Sequence, residues 1–338
     1  MERPTLAVWL DTLDEIPQLQ TLTLHSASPV AAHFPSDVER TVTLPSLTHL
    51  DISGCLKDCA VASAHLVLPA LTSLCLTAID PTNGWGAQEF LLYVARHIHG
   101  PQDSRPLQSV LIRGCESWLE LLAWAVPDID TLVHNPPAFL GATLPTRVKL
   151  SFRIHSYDRI EVFEKLMAAL PLDGLLTLAA VDLGGRTRPC GEAIMQQFWC
   201  NLLPNWPLLR RVRLGATATR GFMEALLVNC KNSLLPSLTE IVLVDTILDP
   251  HSALFLSDGL RKRVEQGVPL KTLDLRMCHS SYPLAVQLLS EIVVDVLLPL
   301  DFLGPEDTEE SRDAGLVMLK KMITMWKPLH PYVPLLRF

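Results

Sequence analysis

Residues 45–55 read Pro-Ser-Leu-Thr-His-Leu-Asp-Ile-Ser-Gly-Cys. The stretch contains the phrase Pro-x-Leu-x-x-Leu-x-Leu, with Ile52 in the last leucine position and Cys55 three residues further on. Apolar and polar residues alternate from His49 to Ser53, which predicts a short β-strand with one buried side. The proline fits just before a strand, where a missing N–H is tolerated.

The same phrase recurs along the chain. Full copies begin at Pro17, Pro45, Pro69, Pro207 and Pro236, and copies one residue shorter begin at Pro106 and Pro269. The first leucines of adjacent units are 24 to 36 residues apart, a spacing typical of leucine-rich repeats. Cys115 and Cys278 occupy the same terminal position as Cys55, where this repeat places a residue buried beneath the following turn. The pattern predicts an α/β fold: an irregular leucine-rich-repeat solenoid (horseshoe), with parallel strands on the concave face and helices on the convex face.

Weaker signals extend the pattern. We expect degenerate units at Ile129/Leu132, at Val148–Ile154 and at Leu178/Val181/Leu183, and helices at Glu89–Ile98, Ile160–Leu170, Ala193–Leu203 and Leu254–Val264. The predicted organisation is a solenoid of about nine or ten units over residues 1–302. An acidic loop and a C-terminal capping helix are predicted over residues 303–338.

The composition excludes several classes of protein. With 49% hydrophobic and 19% charged residues the chain is not disordered, and a net charge of −8 argues against a nucleic-acid partner. We find no signal peptide, no apolar run that could span a membrane and no Asn-x-Ser/Thr sequon. The sequence therefore predicts a cytoplasmic or nuclear protein without a membrane partner.

No catalytic motif is visible. The sequence lacks a nucleophile elbow, a phosphate loop, a dinucleotide fingerprint and metal-ligand spacing, so we predict no enzyme activity, no cofactor and no metal. The eight cysteines do not form a disulfide framework. Cys75 falls on an outward strand position, which makes an accessible thiol there an open interpretation.

The strand periodicity nominates a partner-binding surface. Residues that alternate with the leucines point to the concave face, and among them we single out charged and apolar side chains. The candidate partner-binding residues are His49, Asp51, Arg113, Arg211, Arg213, Glu240, Val242, Val244, Asp274 and Arg276. The alternative, which the sequence leaves open, is that these are solvated strand residues joined by salt bridges between neighbouring repeats.

Several stretches resemble the leucine-rich C-terminal region of the F-box domain-containing proteins expanded in mushroom-forming (basidiomycete) fungi. They are Leu44–Ser53, Leu68–Thr77, Tyr93–Asp103, Leu107–Gly114 and Ser290–Val296. In that family the F-box docks on the adaptor of a cullin-based ubiquitin ligase, and the repeats select the substrate. The F-box is not seen in this chain, so the resemblance implies the substrate-selecting region alone.

Taken together, the sequence predicts a protein–protein recognition module, the substrate-binding region of an F-box-like ubiquitin-ligase receptor. The resemblance implies the ligase adaptor as a partner only if a docking element exists outside the recognised repeats. The alternative function is a free-standing scaffold or inhibitor with no link to ubiquitin, and an enzyme comes third.

Overall fold

The computed structural model describes residues 5–25, 40–79, 93–94, 106–115, 118–127, 148–153, 164–165, 167–168, 170–181, 190–228, 235–248, 250–278, 280–281 and 283–299. These residues form a large, mostly parallel β-sheet with α-helices packed against it. The predicted α/β class is confirmed at this level. The predicted acidic loop and capping helix of residues 303–338 lie outside the described residues.

The strands are short and the helices lie between them. The strands are β1 (Thr21–His25), β2 (Val42–Thr43), β3 (His49–Cys55), β4 (Leu66–Val67), β5 (Ser73–Ile79), β6 (Ser109–Cys115), β7 (Trp118–Trp124), β8 (Val148–Arg153), β9 (Thr177–Val181), β10 (Arg211–Gly215), β11 (Glu240–Val244), β12 (Ile247–Leu248), β13 (Thr272–Met277), β14 (Ser280–Ser281) and β15 (Asp295–Leu297). The helices are α1 (Leu6–Asp14), α2 (Leu56–Ala64), α3 (Cys190–Leu202), α4 (Ala216–Val228), α5 (Pro250–Glu265) and α6 (Pro283–Ser290), and a 3₁₀ turn covers Leu203–Asn205.

Eleven strands form the main sheet in the order β1-β3-β5-β8-β7-β6-β9-β10-β11-β13-β15. Both ends of the sheet follow the chain order, and all seven copies of the proline–leucine phrase lead into its strands. The pairs β2–β4 and β12–β14 form two small parallel sheets. The repeats therefore supply most of one continuous sheet.

The middle of the sheet differs from the all-parallel arrangement that the repeats predict. Strand β7 is antiparallel to both β6 and β8. Only two residues separate β6 from β7, and a connection that short can join antiparallel neighbours but cannot make a parallel crossover. As a result, β8 and β7 lie between β5 and β6.

The repeated leucines form the core on one side of the sheet, which we call the helix-covered face. Leu50 and Ile52 of β3 and Leu273 and Leu275 of β13 are at most 1% exposed, and they belong to one continuous cluster. The cluster also contains apolar side chains from all six helices, including Trp199 of α3. The opposite side, which we call the second face, carries the residues that alternate with these leucines.

One buried arginine ties a helix to the sheet. Arg263 near the end of α5 donates from Nη1 to the carbonyl of Leu235 (3.1 Å) and from Nη2 to that of Leu238 (2.9 Å). Burial lowers the pKa of Arg263 to about 10. These bonds fix the turn that leads into β11. Helix α5 ends next to Gly267, whose φ of 77° favours glycine.

Most sequence-based elements that fall on described residues are found. Strands β8 and β9 coincide with two predicted degenerate units, and α3 and α5 contain most of two predicted helices. Residues 164–165 and 167–168 are helical within the predicted helix Ile160–Leu170, and 93–94 within Glu89–Ile98. The proposed unit at Ile129/Leu132 lies outside the described residues.

The repeat cysteines do not share one environment. Cys55 is exposed, so the prediction that it is buried beneath a turn is wrong: it directly precedes α2, with no side-chain capping bond. Cys278 is half-buried and donates from Sγ to the carbonyl of Leu243 (3.8 Å). Burial, with Asp274 and Asp245, raises the pKa of Cys278 to about 12. The side chain of Cys115 is outside the described set.

Among the described residues, none of the helices has the length and apolar character needed to cross a membrane.

Candidate functional site

The pairing of the strands arranges the second face in rows. The middle row contains one residue from each of the eleven strands: Thr23, Asp51, Cys75, Lys149, Leu122, Leu111, Ala179, Arg213, Val242, Asp274 and Leu297. Neighbouring strands are about 4.8 Å apart, so the row is about 48 Å long. The predicted alternation of the strands is therefore correct, and seven of the eleven strands carry the repeat phrase.

One part of this face is buried. Leu111, Leu122, Trp124 and Ala179 form a second apolar cluster, separate from the core on the helix-covered face. Further along the sheet, four of the predicted partner-binding residues are also enclosed: Arg213 (3% exposed), Val242 (3%), Val244 (5%) and Asp274 (4%). We call the second-face residues of β6, β7, β9, β10, β11 and β13 the buried half, in which Arg276 at the end of β13 is exposed (59%).

The burial corrects the prediction that these four residues form an exposed partner surface. For Val242 and Val244 the physical reason is that a strand that is apolar on both sides buries both sides. Strand β9 reads Thr-Leu-Ala-Ala-Val and β11 reads Glu-Ile-Val-Leu-Val, and neither shows the polar alternation of β3. That loss of alternation was visible in the sequence and could have identified the burial of Val242 and Val244. Arg213 and Asp274 lie in strands that keep the alternation, so the sequence pattern did not identify their burial.

The remaining predicted arginines are held by ion pairs within the sheet. Arg211 Nη2 lies 3.0 Å from Glu240 Oε1, between paired residues of β10 and β11. Arg113 pairs with Glu120 of the neighbouring strand β7. The alternative interpretation, a lateral salt bridge between neighbouring repeats, therefore describes Arg211 and Glu240, whereas Arg113 pairs across the β6–β7 hairpin.

Asp274 and Arg276 form a bidentate pair on β13. Arg276 donates from Nε to Oδ1 (3.0 Å) and from Nη2 to Oδ2 (2.7 Å), and its backbone N–H also donates to Oδ1. Burial by itself raises the pKa of Asp274, but the bonds from Arg276 and the charge of Arg211 outweigh it and hold that pKa below its ordinary value. Asp274 is thus an ionised part of the fold.

Glu120 marks the boundary between the two parts of the second face. Its carboxylate is buried and receives Arg113 on one side and Lys149 Nζ (3.5 Å) on the other. Sequence reasoning did not find Glu120, because β7 was not predicted. Its position between two cations depends on the antiparallel hairpin.

At the far edge of the sheet, Leu297 of β15 is exposed and belongs to neither half. The second face of β1, β3, β5 and β8 is polar and accessible. It contains Thr21, Thr23, His25, His49, Asp51, Ser53, Ser73, Cys75, Thr77, Lys149 and Ser151, all of them exposed or half-buried, and we call this set the polar half. His25 Nδ1 lies 2.8 Å from Ser53 Oγ across β1 and β3, and His49 Nδ1 lies 2.8 Å from Thr48 Oγ1. Hydroxyl groups dominate the surface.

The chemistry of the polar half suits binding better than catalysis. Burial, and then the adjacent Asp51 carboxylate, raises the pKa of the Cys75 thiol to about 11. A thiol with this pKa is almost entirely protonated at neutral pH, so it is a poor nucleophile and a poor metal ligand. Within the part of the chain that the structure describes, no group of three or more His, Cys, Asp and Glu side chains could hold a metal ion.

Asp51 differs from the other carboxylates of this face. Glu120, Glu240 and Asp274 each contact a cation, whereas Asp51 has no ion-pair partner among the described residues and lies beside Cys75 of the neighbouring strand. His49 and Asp51 are the two predicted partner-binding residues that lie in the polar half. The structure thus leaves this pair accessible and encloses or pairs the other eight.

Comparison with known proteins finds no family model that matches the chain and no curated protein that matches it.

Proposed function

We propose that this chain is an irregular leucine-rich-repeat solenoid that recognises a partner protein through its polar half and performs no catalysis. The observation that carries the proposal is the contrast within one sheet face. The middle row of the buried half is enclosed and the charged side chains around it form ion pairs within the sheet, whereas the polar half presents hydrogen-bonding groups to solvent. Solenoids of this type bind partners on the strand surface that faces away from the helices.

The repeat interpretation is supported by register as well as by spacing. From β1 to β5 and from β10 to β11 the apolar strand positions of the phrase pair with their equivalents in the next unit. Strands β11 and β13 keep the equivalent register from Glu240 to Val242, before an irregularity between Val242 and Val244. The β6–β7 hairpin then acts as an insertion between two runs of parallel units.

The specific role that we favour is substrate selection in an F-box-like ubiquitin-ligase receptor, and it rests on the sequence resemblance alone. The alternative is a free-standing scaffold or inhibitor. Both functions would use the same surface, so the identity of the captured proteins decides between the receptor and the scaffold. Recovery of an F-box adaptor and a cullin favours the receptor, and recovery of other proteins without them favours the scaffold.

The test is affinity capture from an extract of the native host with the tagged chain and two arginine variants, read by quantitative mass spectrometry. Thr23→Arg places a large cation in the middle row of the polar half. Thr43→Arg makes the same change at an exposed residue of β2, outside the main sheet. We expect Thr23→Arg to lose the partners that the wild type and Thr43→Arg retain. Identical capture by all three chains would contradict the proposal.

A further inference from the structure

The size of the polar half limits what can bind there. Its four strands span about 14 Å across, and its three rows span about 13 Å along the strands. A standard interface between folded proteins covers about 800 Å² on each partner, several times more than this area. An extended segment of four to six residues is about 13–20 Å long and fits the polar half.

The side chains of the polar half suit such a segment. Most are short hydroxyl residues, such as Thr23, Ser53 and Thr77, which let another backbone come close. Hydroxyl groups both donate and accept, so they can satisfy the N–H and C=O groups of an extended peptide. The surface lacks the large aromatic anchors of most protein-binding hot spots, so we look for specificity in charge.

One carboxylate of the polar half could select a partner by its charge. Asp51 lies in the middle row, between Thr23 and Cys75, and is half-buried without a cation beside it in the described part of the chain. Lys149, the cation in the same row, is two strands away, about 10 Å, and already contacts Glu120. A half-buried carboxylate without a cation beside it can form a charge-assisted hydrogen bond with a cation of a ligand.

We propose that the polar half binds an extended peptide segment of a partner protein, with a lysine or arginine at its centre that pairs with Asp51. This inference rests on the proposed function and names the chemistry of the partner. The hydroxyl groups bind the peptide backbone, and Asp51 selects the basic side chain. A segment with a glutamate at its centre is rejected, because it would place two carboxylates side by side.

The experiment uses two synthetic peptide pools as probes. Both are fluorescein-labelled Gly-Xaa-Xaa-Z-Xaa-Xaa-Gly, where Xaa is an equal mixture of Ala, Ser and Thr, and Z is Arg in one pool and Glu in the other. Binding to the full chain is measured by fluorescence polarisation at low salt, where screening is weak. The variants are Asp51→Asn, Asp51→Arg, Thr23→Arg and the control Asp173→Asn. Asp173 is exposed in the turn before β9.

We expect the wild type to bind the Arg pool at least about tenfold more tightly than the Glu pool. Asp51→Asn should remove this preference, Asp51→Arg should reverse it, and Asp173→Asn should keep it. Circular dichroism of each variant confirms that the chain is folded. Equal binding of both pools, absence of saturable binding of the Arg pool, or a preference that survives Asp51→Asn would each overturn the inference.

The variant Thr23→Arg separates failure of this inference from failure of the proposed function. If both pools bind equally and Thr23→Arg blocks both, the polar half recognises peptides without a basic preference, and only the inference fails. If Thr23→Arg changes neither peptide binding nor the affinity capture, the proposed function fails together with it.

Discussion

The two halves of the second face belong to one sheet and share one row of paired residues, yet they differ in what their side chains do. In the polar half, Thr23 and Asp51 stand in the middle row and remain accessible. In the buried half, Leu111 and Ala179 occupy the same row and are enclosed. Strand periodicity thus determines which way a side chain points, but it does not by itself determine whether that side chain is accessible.

The comparison also separates two uses of charge. Arg113, Glu120 and Lys149 form a linked group across three neighbouring strands, and Arg276 clamps Asp274 within β13. These charges stabilise or orient the sheet. Asp51 is accessible without a cation beside it among the described residues, and it is therefore available to a ligand.

The largest expected effect is the loss of stability when a charge is placed in the core on the helix-covered face. Leu273 of β13 is on the helix-covered face and is 0% exposed. Leu273→Asp buries an unpaired carboxylate and should prevent folding, a loss of more than about 4 kcal/mol. Circular dichroism melting measures it. Lys271→Asp, at an exposed position two residues earlier, should melt near the wild type. A near-wild-type melt of Leu273→Asp would refute the assignment of the leucines to the core.

The second prediction concerns the buried half. The sequence alone predicts that Arg213→Glu weakens partner binding and leaves melting nearly unchanged. Because Arg213 is enclosed between Ala179 and Val242, we now expect the reversed charge to destabilise the chain by about 3 kcal/mol. Urea unfolding gives the free energy, and the exposed neighbour Arg210→Glu is the matched control. Equal stability of the two variants would mean that this part of the face is open.

The smallest expected effect is a dependence on pH. The pKa of Asp274 is lower in the folded chain than in the unfolded chain, so its ionised form stabilises the fold. This contribution is present above the ordinary aspartate pKa of about 3.9 and decreases as the pH falls through the folded value. The stability difference between wild type and Asp274→Asn should therefore be larger at pH 6 than at pH 3. A constant difference over this range would contradict the role assigned to Arg276.

The sequence predicted the parts of the fold that depend on local pattern. The phrase around Leu47 and Leu50 identified strands, and Val148–Ile154 was recognised by alternation although it lacks the phrase. Strand β7 was missed because two residues between β6 and β7 left no room for the helix that the repeat pattern requires. The position of β8 beside β5 depends on pairing across more than 60 residues, which no local pattern encodes.

The site was only partly predictable for a related reason. Alternation correctly placed Arg213 and Val242 on the second face, but exposure depends on what surrounds that face. The pairing of Arg211 with Glu240 requires the register between β10 and β11. Glu120 became visible only once β7 was placed. By contrast, His49 and Asp51 lie in a strand with clear polar alternation, and there the sequence pattern and the accessibility agree.

The most direct test of the account places one substitution at two positions of the middle row. Leu111 lies in the buried half between Leu122 and Ala179, and Thr23 lies in the polar half. We predict that Leu111→Asn loses about 3 kcal/mol of stability, whereas Thr23→Asn, which adds no charge beside Asp51, stays within about 0.5 kcal/mol of the wild type. Urea unfolding of both variants gives the comparison. Similar stabilities for the two would contradict the division of the second face into a buried half and a polar half.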